Sequence, residues 1–85
     1  MIISGIVVAS RPEHLEQLRA DVSAIPWAQV HHSDSVGRLV VTTEAADVDE
    51  SMERLKELQA LPRVVMAELA EYTIENDERQ EGRQS

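Results

Sequence analysis

The chain has 85 residues, with 16 acidic and 8 basic side chains and a formal net charge of −8. This length predicts one small domain, and the acidic excess favours a cationic partner over nucleic acid, whose phosphates must be neutralised by Lys and Arg. With no cysteine in the sequence, disulfides, thiolate catalysis and cysteine-based zinc sites are excluded.

The first third of the chain predicts a strand followed by a helix. Residues 2–9, IISGIVVA, form a short, β-branched, apolar run without helical spacing, which is typical of a strand. Pro12 suits the first turn of a helix, and Pro26 ends it because the residue before a proline avoids the helical conformation. Between the two prolines an apolar stripe recurs at helical spacing: Leu15, Leu18, Val22 and Ile25.

The middle of the chain predicts a hairpin of two strands. Residues 27–34 alternate loosely between apolar and polar side chains, and residues 38–45, RLVVTTEA, are rich in strand-forming types. Between them Gly37 can adopt the positive φ that a tight hairpin turn requires.

The last third predicts a second helix and a fourth strand. Asp47 and Glu50 have the Asp-x-x-Glu spacing of a capping box, and Pro62 ends the helix as Pro26 ended the first. Residues 64–74 predict a strand, whereas residues 75–85 lack apolar side chains and predict a disordered, charged tail. The stripe of the second helix comprises Val48, Met52, Leu55 and Leu58.

Two similar segments explain how these elements are arranged. Ala-Ile-Pro at 24–26 and Ala-Leu-Pro at 60–62 both mark the exit from a helix. We interpret them as equivalent points in two halves of a β-α-β-β-α-β chain, although chance similarity of two helix–proline junctions is the alternative. The predicted fold of residues 1–74 is therefore α+β, the ferredoxin-like split β-α-β. Its four-stranded antiparallel sheet has the order 4-1-3-2, with both helices on one face.

Helices on one face leave the other face of the sheet uncovered. Because strand residues alternate between faces, placing Ile6, Val8, Leu39 and Val41 toward the helices turns their neighbours outward. The predicted peptide-binding surface on this outer face comprises Ile3, Gly5, Val7, Val40, Thr42, Glu44, Met66, Glu68, Ala70 and Tyr72.

The same alternation assigns the two remaining strands, where a shift of one residue would reverse every position. On the second strand it places Val30 and His32 toward the helices. The outward residues there are Trp27, Gln29 and His31. On the fourth strand the core residues are predicted to be Val65, Ala67 and Leu69.

The uncovered face combines an apolar centre with acidic margins. Glu44, with Glu68 or Glu71, lies near its edge, while Gly5 leaves room for a close approach. Such a surface suits an amphipathic helix that carries basic residues. Self-association through the sheet is the alternative, so we expect a monomer or a weak dimer.

No residue pattern indicates catalysis or a bound cofactor. His31 and His32 are neighbours on a strand and should point to opposite faces, which disfavours a shared metal ion. The three glycines form no phosphate-binding loop, and no serine has a nucleophile signature. No apolar run is long enough to span a bilayer and no basic leader is present, so we expect a cytoplasmic protein without stable membrane association.

Three segments carry a resemblance to a known family. In order, ISGIVVASRPEHLEQLRADVSAIP, VHHSDSVGRLVVTTEA and LPRVVMAELAEY resemble the NapD family, the maturation chaperones of periplasmic nitrate reductase. The similarity runs over residues 2–74. The chain departs from the family at IPWA, where Pro-Gly is frequent, so that Trp27 is a local peculiarity.

The resemblance implies a function that the residue pattern alone does not name. Such chaperones bind the twin-arginine signal peptide of the catalytic subunit of the nitrate reductase as a helix on the sheet, in the cytoplasm. They delay export until the molybdenum cofactor and the iron–sulfur cluster are inserted, and carry neither themselves. The alternative is a small-molecule regulatory domain of the ACT type, which shares this topology and acts as a sheet-paired dimer.

Overall fold

The computed structural model describes residues 1–75, which form one four-stranded sheet and two helices. The sheet has the order β2-β3-β1-β4 with every neighbouring pair antiparallel, which confirms the predicted order 4-1-3-2 read from the other edge. The predicted tail lies, from residue 76 onward, outside the described residues. In chain order the elements are β1 (Ile2–Ala9), a 3₁₀ turn (Pro12–His14), α1 (Leu15–Ser23), β2 (Ala28–Ser33), β3 (Arg38–Ala45), α2 (Val48–Gln59) and β4 (Met66–Ile74).

The helix boundaries follow the local signals in the sequence. Pro12 opens the 3₁₀ turn that leads into α1, and α1 ends before Pro26. The side chain of Asp47 accepts a hydrogen bond of 2.8 Å from the backbone N–H of Glu50, and Glu50 Oε1 in turn accepts one of 2.8 Å from the N–H of Ala46. These bonds satisfy N–H groups at the start of α2, which otherwise lack partners.

The hairpin turn between β2 and β3 depends on a glycine. Gly37 has φ of +105°, and a Cβ at this position would clash with the backbone oxygen of Ser10. The carbonyl of Gly37 also accepts a hydrogen bond of 2.7 Å from the N–H of Ser10. The turn therefore packs against the end of β1, and only glycine fits there.

The core fills the space between the helices and one face of the sheet. Its fully buried members come from β1, β3 and both helices, as the alternation predicts. At about 25 cal/mol per Å² of apolar surface, burial of such side chains is the main stabilising contribution. The largest of them are Ile6, Val8, Leu18, Val22, Leu39, Val41 and Leu58.

A β-bulge in β4 overturns the predicted orientation of its second half. Ile6 pairs with Leu69 but Gly5 pairs with Glu71, so that Ala70 is an extra residue. Beyond the bulge Tyr72 pairs with Ser4, whose side chain is buried and is within 2.9 Å of Ser51 in α2. Tyr72 therefore lies on the helix side of the sheet, and its predicted outward orientation is wrong.

The first half of β4 also departs from the predicted core. Ala67 is buried as expected, but Leu69 is 41% exposed although it lies on the helix side. Val65 precedes the strand and is 70% exposed, so its assignment to the core is wrong. β4 thus borders the core along one edge and leaves much of its apolar surface accessible.

A second bulge changes the assignments on β2. Val30 pairs with Val41 but His32 pairs with Val40, which leaves His31 as the extra residue. His32 consequently shares the uncovered face with Val40, and its predicted inward orientation is wrong. Trp27 precedes the strand and packs, partly buried, against the core instead of facing outward.

Candidate functional site

The sheet face opposite the helices has an apolar centre, and we call this surface the open face. Its centre lies on the two inner strands, where Val7 of β1 pairs with Val40 of β3 and Gly5 pairs with Thr42. Val40 is 40% exposed, and Met66, which pairs with Ala9, is 38% exposed. The apolar and small residues of the open face are Ile3, Gly5, Val7, Ala9, Val40 and Met66.

Carboxylates border this apolar centre on β4 and at one end of β3. Glu68 pairs with Val7, Glu71 with Gly5, and Glu44 of β3 with Ile3. Within residues 1–75 none of these three carboxylates forms an ion pair with a basic side chain. Their negative charges are therefore available to a cationic ligand.

Glu71 is held close to the floor of the open face by the bulge. A Cβ built on Gly5 would lie 3.3 Å from Glu71 Cγ and 3.9 Å from its Oε2. The side chain of Glu71 thus reaches over Gly5 toward the apolar centre. A carboxylate in this position adjoins the apolar surface, where a bound guanidinium group would be partly shielded from water.

The positive charge of Arg38, at one corner of this face, is neutralised by a neighbouring carboxylate. Arg38, which pairs with Ala9 at one corner, contacts Asp34 at 2.9 Å from Nε to Oδ2. Asp34 Oδ1 also accepts hydrogen bonds of 3.0 Å from the backbone N–H groups of Val36 and Arg38. These bonds, chiefly that from the N–H of Arg38, lower the pKa of Asp34 and keep its carboxylate charged beside the guanidinium.

The β2 edge carries two histidines, which the bulge brings to the same side. His31 Nε2 and Thr42 Oγ1 lie 2.6 Å apart, and His32 pairs with Val40. Both histidines are exposed. Within the part of the chain that the structure describes, no group of three His, Asp or Glu side chains is arranged to hold a metal ion.

Comparison with known proteins decides the family. The family model described as NapD protein matches residues 1–76. The chain belongs to the NapD family. Its structure is similar to the solution structure of the E. coli Tat proofreading chaperone protein NapD, with a TM-score of 0.76 and 21% sequence identity. The match covers 98% of this chain and 87% of that one, and at this identity it shows the fold. No curated protein sequence gives a significant match.

Most of the residues predicted for peptide binding in this NapD-family chain lie together on the open face. Ala70 is the bulge residue beside Gly5, and Tyr72 lies on the opposite side of the sheet. Whether the assembled residues bind a peptide stays a prediction. Those on the open face are Ile3, Gly5, Val7, Val40, Thr42, Glu44, Met66 and Glu68.

The sequence does contain a signal for the bulge in β4. The apolar residues on its helix side, Ala67 and Leu69, have odd numbers, whereas Tyr72 and Ile74, which follow on the same side, have even numbers. Such a change of phase within one strand is what an inserted residue produces. The open-face position of His32 could not be found in the sequence because β2 has no comparable alternation. That of Arg38 follows from the alternation of β3, which also places Val40 outward.

Membrane insertion finds no support in the helices of this NapD-family chain. Among residues 1–75, neither helix has the length and apolar character needed to cross a bilayer.

Proposed function

We propose that this NapD-family protein is a signal-peptide-binding chaperone. In this proposal the open face holds the twin-arginine signal peptide of the catalytic subunit of the periplasmic nitrate reductase as a helix. Binding delays export by the Tat system until the cofactors of the enzyme have been inserted. The observation that carries the proposal is an accessible apolar sheet centre bordered by carboxylates that lack ion-pair partners within residues 1–75.

The apolar centre suits the hydrophobic stretch of a signal peptide. Val7, Val40 and Met66 provide aliphatic surface, whereas Gly5 and Ala9 allow a helix to approach the sheet closely. Burying apolar surface contributes about 25 cal/mol per Å², which favours a ligand with a continuous apolar face. A helix presents such a face while satisfying its own backbone hydrogen bonds.

The carboxylates suit the paired arginines of the signal. Glu68 and Glu71 occupy adjacent outward positions on β4, one on each side of the Ala70 bulge. Guanidinium groups form forked, charge-assisted hydrogen bonds with carboxylates and are weakly hydrated, so Arg is favoured over Lys. Each such bond contributes roughly 1.5–3 kcal/mol where it is shielded from water, and less at an exposed edge.

The expected affinity is limited by the ordering of the peptide. A segment that folds on binding loses roughly 2–5 kcal/mol of its gross interaction energy. We therefore expect dissociation constants in the micromolar to high-nanomolar range.

The net charge of −8 disfavours sheet-to-sheet dimers, since these would bring the carboxylates of two copies into one interface. Light scattering should accordingly show a monomer or a weak dimer.

Titration with a synthetic twin-arginine peptide tests the proposal. Amide shifts recorded by NMR should cluster on β1, β3 and β4 around Val7, Val40 and Glu68. A peptide with both arginines replaced by Lys should bind more weakly under the same conditions. Shifts confined to α1 and α2, or equal affinity for the two peptides, would overturn it.

The delay of export needs a separate measurement. A reporter protein fused to the signal peptide should reach the periplasm more slowly when the chaperone is co-expressed. A variant that has lost peptide binding should restore the normal rate of export. An unchanged rate with a peptide-binding chaperone would remove the proofreading part of the proposal.

A further inference from the structure

A second apolar surface lies on the helix side of the sheet, at its β4 edge. Val48 and Met52 of α2 are 58% and 47% exposed, although they belong to the apolar stripe of that helix. They face Leu69 and Tyr72 of β4 across a cleft of about 120 Å³. We call this the β4 cleft, and its lining comprises Ile2, Val48, Ser51, Met52, Leu69 and Tyr72.

The strand beside this cleft has a free edge. In the part of the chain that the structure describes, β4 pairs with β1 alone. On its other side the carbonyl of Ala67 accepts a hydrogen bond of 3.0 Å from Gln59 Nε2, and the remaining outward backbone groups have no strand partner. The strand is nine residues long and contains neither proline nor lysine. Those two residue types are among the usual means by which edge strands avoid pairing with other chains. The bulge at Ala70 is another, and it divides this edge into two short stretches that a partner strand would have to follow.

The two sides of this free edge differ in chemistry. On the helix side β4 presents Leu69, Tyr72 and Ile74, all of them at least 41% exposed. On the open side it presents Glu68 and Glu71. Every charged residue between positions 66 and 75 is acidic. A strand that pairs with this edge would therefore meet an apolar surface on one side and negative charge on the other.

Charge and composition argue against the two occupants that the chain itself could supply. A second copy that paired through β4 would bring further copies of Glu68 and Glu71 to the same edge, and each chain has a net charge of −8. Residues 76–85, NDERQEGRQS, contain no apolar side chain to fill the cleft. The favoured occupant is therefore a different polypeptide with basic side chains.

We propose that β4 binds an extended segment of a partner protein as a fifth strand of the sheet. In this segment apolar and basic residues alternate. Its backbone pairs with the free edge, its apolar side chains enter the β4 cleft, and its Lys or Arg side chains reach Glu68 and Glu71. The alternation follows from strand geometry, since successive side chains point to opposite faces. The proposal goes beyond helix binding on the open face and does not depend on it.

Two synthetic peptides of equal composition test this proposal on the full chain. In one, Arg and Val alternate; in the other, the same residues are grouped in two blocks. The alternating peptide should bind at least about tenfold more tightly, a difference of roughly 1.4 kcal/mol. It should also slow hydrogen exchange at backbone amides of β4. Equal affinities would overturn the proposal, because they would indicate non-specific attraction to an acidic protein.

A pair of single substitutions distinguishes the two sides of the edge. Tyr72→Ser removes apolar surface from the β4 cleft, whereas Thr73→Ser changes the neighbouring residue, which pairs with Ile3 on the open face. Both residues are exposed, so both variants should fold. Only Tyr72→Ser should weaken binding of the alternating peptide.

Three results would overturn the proposal. The first is equal affinity of Tyr72→Ser and Thr73→Ser for the alternating peptide. The second is amide shifts, on addition of that peptide, that are confined to β1 and β3. The third is a dimer, observed by light scattering without peptide and abolished by Tyr72→Ser, which would identify a second copy as the occupant. Binding of the twin-arginine peptide by Tyr72→Ser should be unchanged, which separates this test from that of the open face.

Discussion

The side chain of Glu71 lies over Gly5, with its Cγ 3.3 Å from the point that a Cβ on Gly5 would occupy. The contact exists because the extra residue Ala70 places Glu71 opposite Gly5 in the register of β1 and β4. A backbone irregularity on the edge strand thus positions a carboxylate above the small floor of the open face. This relationship links the local geometry of the sheet to the chemistry proposed for it.

Gly5→Ala should separate binding from stability. The new methyl group would displace the flexible, exposed side chain of Glu71 by a few tenths of an ångström and raise the floor of the open face. Gly-to-Ala changes at compatible positions stabilise proteins by about 0.4–1 kcal/mol, so thermal unfolding should occur at an equal or higher temperature. Calorimetric titration should show roughly threefold to tenfold weaker binding of the twin-arginine peptide. Unchanged affinity would show that Gly5 has no part in the site.

Neighbouring residues on β3 offer a matched test of the two faces. Val40 is 40% exposed on the open face, whereas Leu39 is fully buried in the core. Val40→Glu should leave the circular dichroism spectrum intact and abolish peptide binding, because it places a charge in the apolar centre. Leu39→Glu should destabilise the fold by more than about 4 kcal/mol, since it buries an unpaired charge. A folded Val40→Glu variant that still binds the peptide would contradict the proposed site.

The carboxylates on β4 should contribute to affinity through their charge. In calorimetric titrations Glu68→Gln and Glu71→Gln should each weaken binding of the twin-arginine peptide by roughly 0.2–1 kcal/mol, the range of exposed ion pairs. This loss of affinity should shrink at high salt. Glu53→Gln on the exposed surface of α2 is the control. It changes the net charge by the same amount, but at a position remote from the open face. Similar losses in all three variants would point to net charge alone.

The carboxylate of Asp34, in the turn between β2 and β3, should make the free energy of unfolding depend on pH. The pKa of Asp34 is lowered in the folded protein, chiefly by the hydrogen bond from the N–H of Arg38. A lowered pKa means that its stabilising effect is complete above the unfolded value of about 3.9 and is lost as pH falls through the lower folded value. Urea unfolding from neutral to acidic pH should therefore show a smaller loss in Asp34→Asn than in the wild type. The exposed Asp49→Asn is the control, and equal profiles would contradict the assignment.

The sequence predicts the face of the sheet on which a residue lies only where its strand keeps a regular alternation of side chains. Ile6 and Leu39 lie on continuous central strands, and their burial was predicted from alternation alone. Tyr72 and His32 lie beyond bulges, where one extra residue reverses the face. The fold and most of the proposed open face were therefore predictable, whereas the edge positions were not. Trp27 was misplaced for another reason, because it precedes β2 and contacts a side chain distant in sequence.

Arg54 joins that tryptophan to the sheet and to α2. Its guanidinium carbon lies 4.7 Å from the centre of the Trp27 ring, and its Nε donates a 2.7 Å hydrogen bond to the backbone oxygen of Glu44. A further contact of 3.2 Å links its terminal nitrogen to Glu50, the residue that also helps to cap α2. Since only 19% of the side chain is exposed, these interactions are partly shielded from solvent.

Arg54→Met should therefore destabilise the fold by roughly 1–3 kcal/mol, through the loss of the cation–π contact and of the hydrogen bond. Arg54→Lys should have an intermediate effect, because it keeps the charge but not the planar fork. Trp27 is the single tryptophan, so urea unfolding can be followed by its fluorescence. Arg19→Met on exposed α1 is the control and should change stability by less than about 0.5 kcal/mol. Equal midpoints for the Arg54→Met and Arg19→Met variants would show that Arg54 does not stabilise this end of the sheet.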